Sequence, residues 1–241
     1  LMIFFYTNVP GADIGIAIIL TTVVVRILML PLYRKGLKSQ REMAVVQPKI
    51  REIQATYKDD KQKLSEELMK VYQEHNINPF AGILILLAQI PIILAMYRVS
   101  LNIFKPETYP ELYPFVNLPA EIEQISFGFL NVANSARDVL MSAGIVDALP
   151  SIVLVLLVGA TQYGQIRLIM GRNKGAMPQK TNSDEPDMAL AMQKQMGVVM
   201  PTIITIIAFT LPVAMSLYWI TTTLATVAQE FVLIRSMKQK S

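Results

Sequence analysis

The chain has 241 residues, 53% of them hydrophobic and only 17% charged, with a mean hydropathy of +0.41. A soluble domain carries about 25% charged residues, so the composition favours a polytopic membrane protein over a large soluble core. No cysteine is present, which excludes disulfides and thiol chemistry, and the formal charge of +4 matters less than where the charges fall.

The first residues, LMIFFYTNVPGAD, lack the positive n-region of a signal peptide. Their abrupt apolar start leads us to expect a trimmed beginning, with upstream sequence removed. Residues 14–32, IGIAIILTTVVVRILMLPL, are long and apolar enough for a first transmembrane helix and contain one charge, Arg26. A guanidinium at the centre of such a helix costs about 2.5–3.5 kcal/mol on an insertion scale. Its expected home is a wet or polar interior that the rest of the chain builds.

Residues 33–79 are polar. Residues 33–75 hold ten Lys/Arg and seven acids. Met43, Val46, Ile50 and Ile53 recur at threes and fours, and Leu64, Leu68 and Val71 do the same. The spacing predicts a helical hairpin with arms over 40–56 and 61–75, turning at YKDD, with a kink at Pro48. A second span is expected over 80–99. Residues 100–148 form an acid-rich loop whose FKPETYPELYPFVNLP part is too rich in proline for a long helix. Its end, 129–148, is mildly amphipathic and is expected along the membrane interface.

A third span is expected over 149–169, then a basic loop over 170–196 with a disordered middle, GAMPQKTNSDEPD. Residues 197–234 are nearly free of charge apart from Glu230, and Pro212 divides them into two spans. The tail, 235–241, carries Arg235, Lys238 and Lys240. Lys and Arg therefore crowd the first loop, the third loop and the tail. The positive-inside rule then puts the N-terminus outside and the C-terminus in the cytoplasm, a parity that five spans satisfy.

Arg26 has two readings. It is either an internal structural charge or a charge offered to something acidic that arrives later. No acid falls deep in another span, and Glu230 lies toward the cytoplasmic end of the last, which favours the second. Thr22 shares the Arg26 face, while Gln89, Gln162, Trp219, Thr222 and Thr223 sit within other spans. Buried amides and hydroxyls serve helix association, but together with Arg26 these residues also suit the lining of a polar concavity. Trp219 alone reads equally as an interface anchor. Pro31, Pro91 and Pro212 shape helices, His75 reads as solvated, and Asp59 and Asp60 read as acids of a turn. No nucleophile–base pair, metal-ligand cluster or glycine-rich phosphate loop is present, so neither an enzyme nor a cofactor is expected. Nucleic-acid recognition is not indicated beyond a basic surface suited to ribosomal RNA, and no 20–50-residue repeat supports an inverted-repeat transporter.

The segment ILTTVVVRILMLPLYRKGLKSQREMAVVQPKIREIQATYKDDKQKLSEELMKVYQEHNINPFAG resembles the start of the YidC/Alb3 membrane-protein insertase family, in its bacterial YidC-type form. The likeness continues through LLAQIPIILAMYRV and LPVAMSLYWITTTLATVAQE, leaving out only the external loop and the cytoplasmic linker. The resemblance implies an all-α polytopic membrane protein, with five transmembrane helices around a hydrophilic groove and a cytoplasmic helical hairpin between helices 1 and 2. Arg26 corresponds to the groove arginine, Gln89 to the glutamine before the QxPI proline, and Trp219 to the LYW tryptophan. Gln162 most resembles the groove glutamine of the third helix, with Gln165 close by. Departures are Ile85, where many members have proline, Ala214 for a common glycine and Thr223 for a common asparagine. The large periplasmic domain of some relatives is not in this sequence, by nature or by a late start.

The implied partners are nascent membrane proteins, the ribosome, the lipid bilayer and, beside them, the Sec translocon, in a bacterial inner membrane. Tyr57, Lys58, Asp59 and Asp60 at the hairpin turn are the expected client or ribosome contact. A client's acidic or polar flank would enter the groove at Arg26, and its apolar segment would slide into lipid without nucleotide hydrolysis. The rival reading is a small-solute or anion channel using Arg26; a third is a structural assembly factor.

Overall fold

The computed structural model describes residues 1–11, 13–78, 81–105, 119, 121–172 and 188–238. A short α1 (Met2–Asn8) precedes α2 (Ile14–Leu28), α3 (Leu30–Thr56), α4 (Lys61–Glu74) and α5 (Ala81–Asn102). A small hairpin of β1 (Ile125–Ser126) and β2 (Leu130–Asn131) follows, then α6 (Ala136–Ala143), α7 (Ile145–Arg172), α8 (Met188–Thr210) and α9 (Val213–Lys238). The architecture is mostly helical.

The first apolar stretch is not one straight helix over 14–32. It ends at Leu28, and the chain restarts as α3 after a bend of 58°. Pro31 is the cause. It has no N–H to give, and its ring would clash with the carbonyl of Ile27, but it is well tolerated in the first turn of a new helix. Pro48, where a kink was expected, lies inside α3, which runs through it to Thr56. At its other end α2 starts on Asp13, whose carboxylate accepts from the Ile16 N–H at 3.0 Å.

The two polar arms pack on each other through Val46, Ile50, Val71 and Ile77, each 5% exposed or less. Lys49 and Glu74 close an exposed ion pair at 2.9 Å across the arms. The turn falls at Tyr57–Asp60, where the Asp60 side chain accepts from the Lys63 N–H and caps α4.

The loops carry more regular structure than the sequence indicated. In residues 129–148, expected along the membrane interface, the structure has β2, the short α6 and the start of α7, and Gly144, at a φ of 90°, ends α6 before α7 begins. Only glycine adopts that conformation freely. The basic loop is shorter than 170–196, because α7 continues to Arg172 and α8 starts at Met188 in MALAMQKQM, a run of good helix formers. The GAMPQKTNSDEPD segment and nearly all of the proline-rich FKPETYPELYPFVNLP segment lie outside the described residues.

Ile145–Leu168 is long and apolar enough to cross a membrane, and only 22% of its apolar window is buried. A core helix of a soluble protein is mostly covered, whereas here Leu156, Leu94, Ile206 and Leu28 are all more than half exposed. Apolar surface on this scale marks contact with lipid or with protein. The bent pair Ile14–Leu28 and Leu30–Ser39 also passes as one broken span, and Leu87–Asn102 and Gly197–Thr210 are shorter apolar stretches.

The main core gathers Ile14, Ala17 and Ile18 of α2, Met96 of α5 and Val213–Tyr218 of α9. The β-hairpin is locked to its end at Asp13 and Gly15. Ser126 Oγ accepts from the Gly15 N–H at 3.0 Å and donates to Asp13 at 2.7 Å, and the Phe127 N–H donates to the same carboxylate. A Cβ on Gly15 would stand 2.1 Å from Ser126 Oγ, so no other residue fits.

Candidate functional site

α9 is the common wall of the site, packing against α2, α5 and α7. Its apolar run carries a line of buried polar residues, Ser216, Thr222, Thr223, Thr226 and Glu230, with Tyr218 at 2% exposure among them. The Gln89 side-chain amide of α5 donates to the Tyr218 hydroxyl. Arg26, in the last turn of α2, lies within electrostatic reach of Tyr218 and Tyr33. Arg26 and Gln89, 63 positions apart in sequence (89 − 26), thus both lie in the neighbourhood of one phenol, Gln89 by a hydrogen bond and Arg26 by electrostatic proximity.

Arg26 is only partly covered and makes no ion pair among the described residues. Glu230, at 5% exposure one position beyond Gln229, lies near the Tyr33 phenol, and the titratable neighbours of Arg26 are the two neutral phenols of Tyr33 and Tyr218. The Arg26 backbone is held separately, because the Gln229 amide donates to its carbonyl at 3.0 Å.

Thr22, one turn before Arg26, is 1% exposed and donates its hydroxyl to the Ile18 carbonyl at 2.7 Å. That proton is used inside α2. Trp219 lies between two apolar clusters, one centred on α2 and α9 and the other on α7 and α8, and joins them. Gln162 and Gln165 are half-buried on α7, and no hydrogen bond among the described residues ties either to Arg26. The structure therefore ties Gln89 to Tyr218, commits Thr22 to the Ile18 carbonyl and packs Trp219 between the two apolar clusters, while no hydrogen bond among the described residues ties Gln162 to Arg26.

Reasoning from sequence missed Tyr218 and Tyr33 as members and Gln229 as the backbone tie. Tyr218 had one signal: a polar ring spaced four residues from Thr222 in an otherwise apolar run, which puts both on one helix face. At the distant hairpin turn, Lys58, Asp59 and Asp60 are exposed and Tyr57 is half-covered at the end of α3. In the same hairpin, the hydrogen bond from Lys49 holds the Glu74 carboxyl below its usual range, and the hydrogen bond to Glu67 pushes Lys70 up. Among the described residues, no group of three or more His, Asp or Glu is placed to hold a metal ion.

The likeness to known proteins spans nearly the whole chain. A family model described as "60Kd inner membrane protein" matches residues 4–240. A protein of Oceanobacillus iheyensis named "Membrane protein insertase YidC" is 32% identical over 241 residues, covering 97% of this chain and 81% of the relative. One of the same name from Streptomyces avermitilis is 32% identical over 244 residues, covering 96% of this chain and 54% of the relative. A third, from Francisella tularensis subsp. novicida, is 29% identical and covers 92% of this chain but 32% of its own length. The chain thus spans most of the first relative, about half of the second and a third of the third.

Proposed function

This chain belongs to the 60Kd inner membrane protein family, the YidC/Alb3 insertases, and from that premise we propose that it inserts nascent transmembrane segments into a lipid bilayer and chaperones them there. The observation that carries the mechanism is an arginine inside an apolar helix, partly open, with neutral phenols near it and no ion pair to a carboxylate among the described residues. Such a group is a standing receptor for an acidic or polar segment that passes through.

In this reading five spans enclose a water-filled furrow: α2 with its bent continuation, α5, α7, α8 and α9. The Lys/Arg-rich α3–α4 hairpin and the tail face the cytoplasm, and the acid-rich stretch with the β-hairpin faces outward. The ribosome or the client first meets the hairpin turn at Tyr57, Lys58, Asp59 and Asp60. The client's flank then enters beside Arg26, whose guanidinium offers charge-assisted hydrogen bonds strengthened by the low local dielectric. Gln89, through Tyr218, sets the polar floor that the guanidinium faces. Thr22 supports Arg26 from behind, and Trp219 and Gln162 border the α7 side.

The furrow shortens the hydrocarbon path that the flank must cross. Burial of an apolar helix of about 20 residues then drives release into lipid, so no nucleotide is hydrolysed. A membrane potential adds about 2.3 kcal/mol per charge per 100 mV for an acidic flank moving outward. The Sec translocon is a working neighbour in this scheme, not a requirement of the chemistry.

Insertion into proteoliposomes of two clients that differ only in a neutral or an acidic flank tests the reading. Arg26→Ala is expected to slow the acidic client by about tenfold or more, the loss of one charge-assisted hydrogen bond, and the neutral client less. Equal loss for both, or no loss, removes the charge from the mechanism.

A further inference from the structure

Just past the bend, the first turns of α3 carry Arg34, Lys35, Lys38 and Arg41, with one acid, Glu42, next to them. Here α3, the α4–α5 linker and α5 enclose a cleft of about 350 Å³, within the size range of small-ligand sites. Leu32 and Leu84 form its apolar side, while Lys35, Lys38, Ser39 and Asn78 line the polar side. That polar side is built before any ligand arrives. Ser39 Oγ donates to the Asn78 carbonyl at 2.9 Å, and Ile77, the neighbouring linker residue, is anchored in the hairpin core at 5% exposure.

The charges in the cleft do not cancel. Lys38 pairs with Glu42 at 3.6 Å on an exposed face, and Lys35 makes no ion pair among the described residues. Two cations and one acid leave one net positive charge beside an apolar wall. A free phosphate would satisfy the lysines and leave the leucines wet. A ligand with one anionic phosphate and a hydrocarbon body covers both.

We propose that this cleft holds the phosphodiester headgroup of an anionic phospholipid, with the phosphate at Lys35 and Lys38 and the glycerol and acyl portion along Leu32 and Leu84. The proposal rests on the reading above in one respect, that α3 leaves the bilayer on its cytoplasmic side at this level. Basic pockets at that level are where anionic headgroups bind. A lipid seated there pins the bent junction between α2 and α3, and so sets the height of the hairpin above the membrane.

Native mass spectrometry of the full chain released from nanodiscs containing phosphatidylglycerol and phosphatidylcholine tests this. One phosphatidylglycerol is expected to be retained in preference to phosphatidylcholine. Lys35→Gln should weaken that retention about fivefold, Lys35→Arg should keep it, and Lys61→Gln, at the far end of the hairpin, should leave it unchanged. Equal retention of the two lipids, or unaltered retention in Lys35→Gln, overturns the proposal. So does displacement of phosphatidylglycerol by millimolar inorganic phosphate, which would assign the cleft to a free anion. Arg26→Ala is expected to keep the lipid while losing insertion of the acidic client, so the lipid site and the insertion reading fail separately.

Discussion

Gln229 of α9 donates its side-chain amide to the main-chain carbonyl of Arg26 at 3.0 Å. α2 stops two residues later, at Leu28, so this carbonyl belongs to the last turn, whose acceptors a helix leaves without partners of its own. A residue of the final helix thereby fixes the backbone that presents the arginine. The side chain of Arg26 is left to its surroundings while its main chain is held.

Gln229→Leu keeps the volume and removes the donor. Leaving a buried carbonyl unsatisfied costs about 1–3 kcal/mol, so the melting temperature in detergent is expected to fall. Insertion of the acidic client should fall with it, because the guanidinium loses its fixed base. Unchanged melting and unchanged insertion in this variant would show that the tie is dispensable.

Gly159 on α7 faces Thr205 on α8 so closely that a Cβ would lie 2.3 Å from Thr205 Oγ1. That hydroxyl is also committed, donating to the Pro201 carbonyl at 2.8 Å, so it does not simply swing away. Gly159→Ala is expected to push the two helices apart at a cost of about 1–3 kcal/mol. Thr205→Ala in the same chain should recover part of the loss, and a double-mutant cycle on unfolding in detergent measures the coupling. Strictly additive effects would place the contact elsewhere.

Asp13, the N-cap of α2, gives a pH dependence. Burial pushes its carboxyl up, but hydrogen bonds from the Phe127, Ile16 and Gly15 amides and the Ser126 hydroxyl together pull it lower, and the net position is below its ordinary 3.8. A carboxylate with a depressed folded value contributes stability that is fully present above 3.8 and is lost as pH falls through the folded value. The β-hairpin should therefore loosen from α2 only in strong acid. Asp13→Asn is expected to be less stable at neutral pH and to show a flatter acid limb in unfolding followed from pH 7 downward. An acid limb as steep as that of the parent chain would move the titration to another group.

What could be read from residues alone divides along physical lines. Apolar runs and charge bias are local signals, and they marked the helical stretches and the hairpin arms closely: Val46, Ile50 and Val71 pack where their threes and fours put them. The bend at Met29 was foreshadowed by Pro31 but masked by the apolar residues that continue past it as far as Leu32. The β-hairpin was hidden because its strands have two residues each and are held by Asp13 and Gly15, more than a hundred positions away. The same holds for the site. Arg26 announces itself as a charge in an apolar run, whereas the roles of Tyr218 and Gln229 exist only once α9 lies against α2.

The hairpin turn offers a separation of structure from delivery. The core between its arms, Val46, Ile50, Val71 and Ile77, does not include the turn, and the ties within the turn include the Asp60 cap on the Lys63 N–H and the Asp60 N–H donating to the Tyr57 carbonyl. Replacing Lys58, Asp59 and Asp60 by Gly-Ser-Gly removes that cap, a cost of about 1 kcal/mol, and leaves the arms packed. Helical content by circular dichroism is expected to stay close to that of the parent chain, while insertion of clients presented on ribosomes falls severalfold. Clients added free in solution bypass the docking step and should insert nearly as before. If ribosome-presented clients also insert at the parent rate, the turn has no part in delivery. A drop for both kinds of client together with lost helicity would instead make the turn a determinant of the fold.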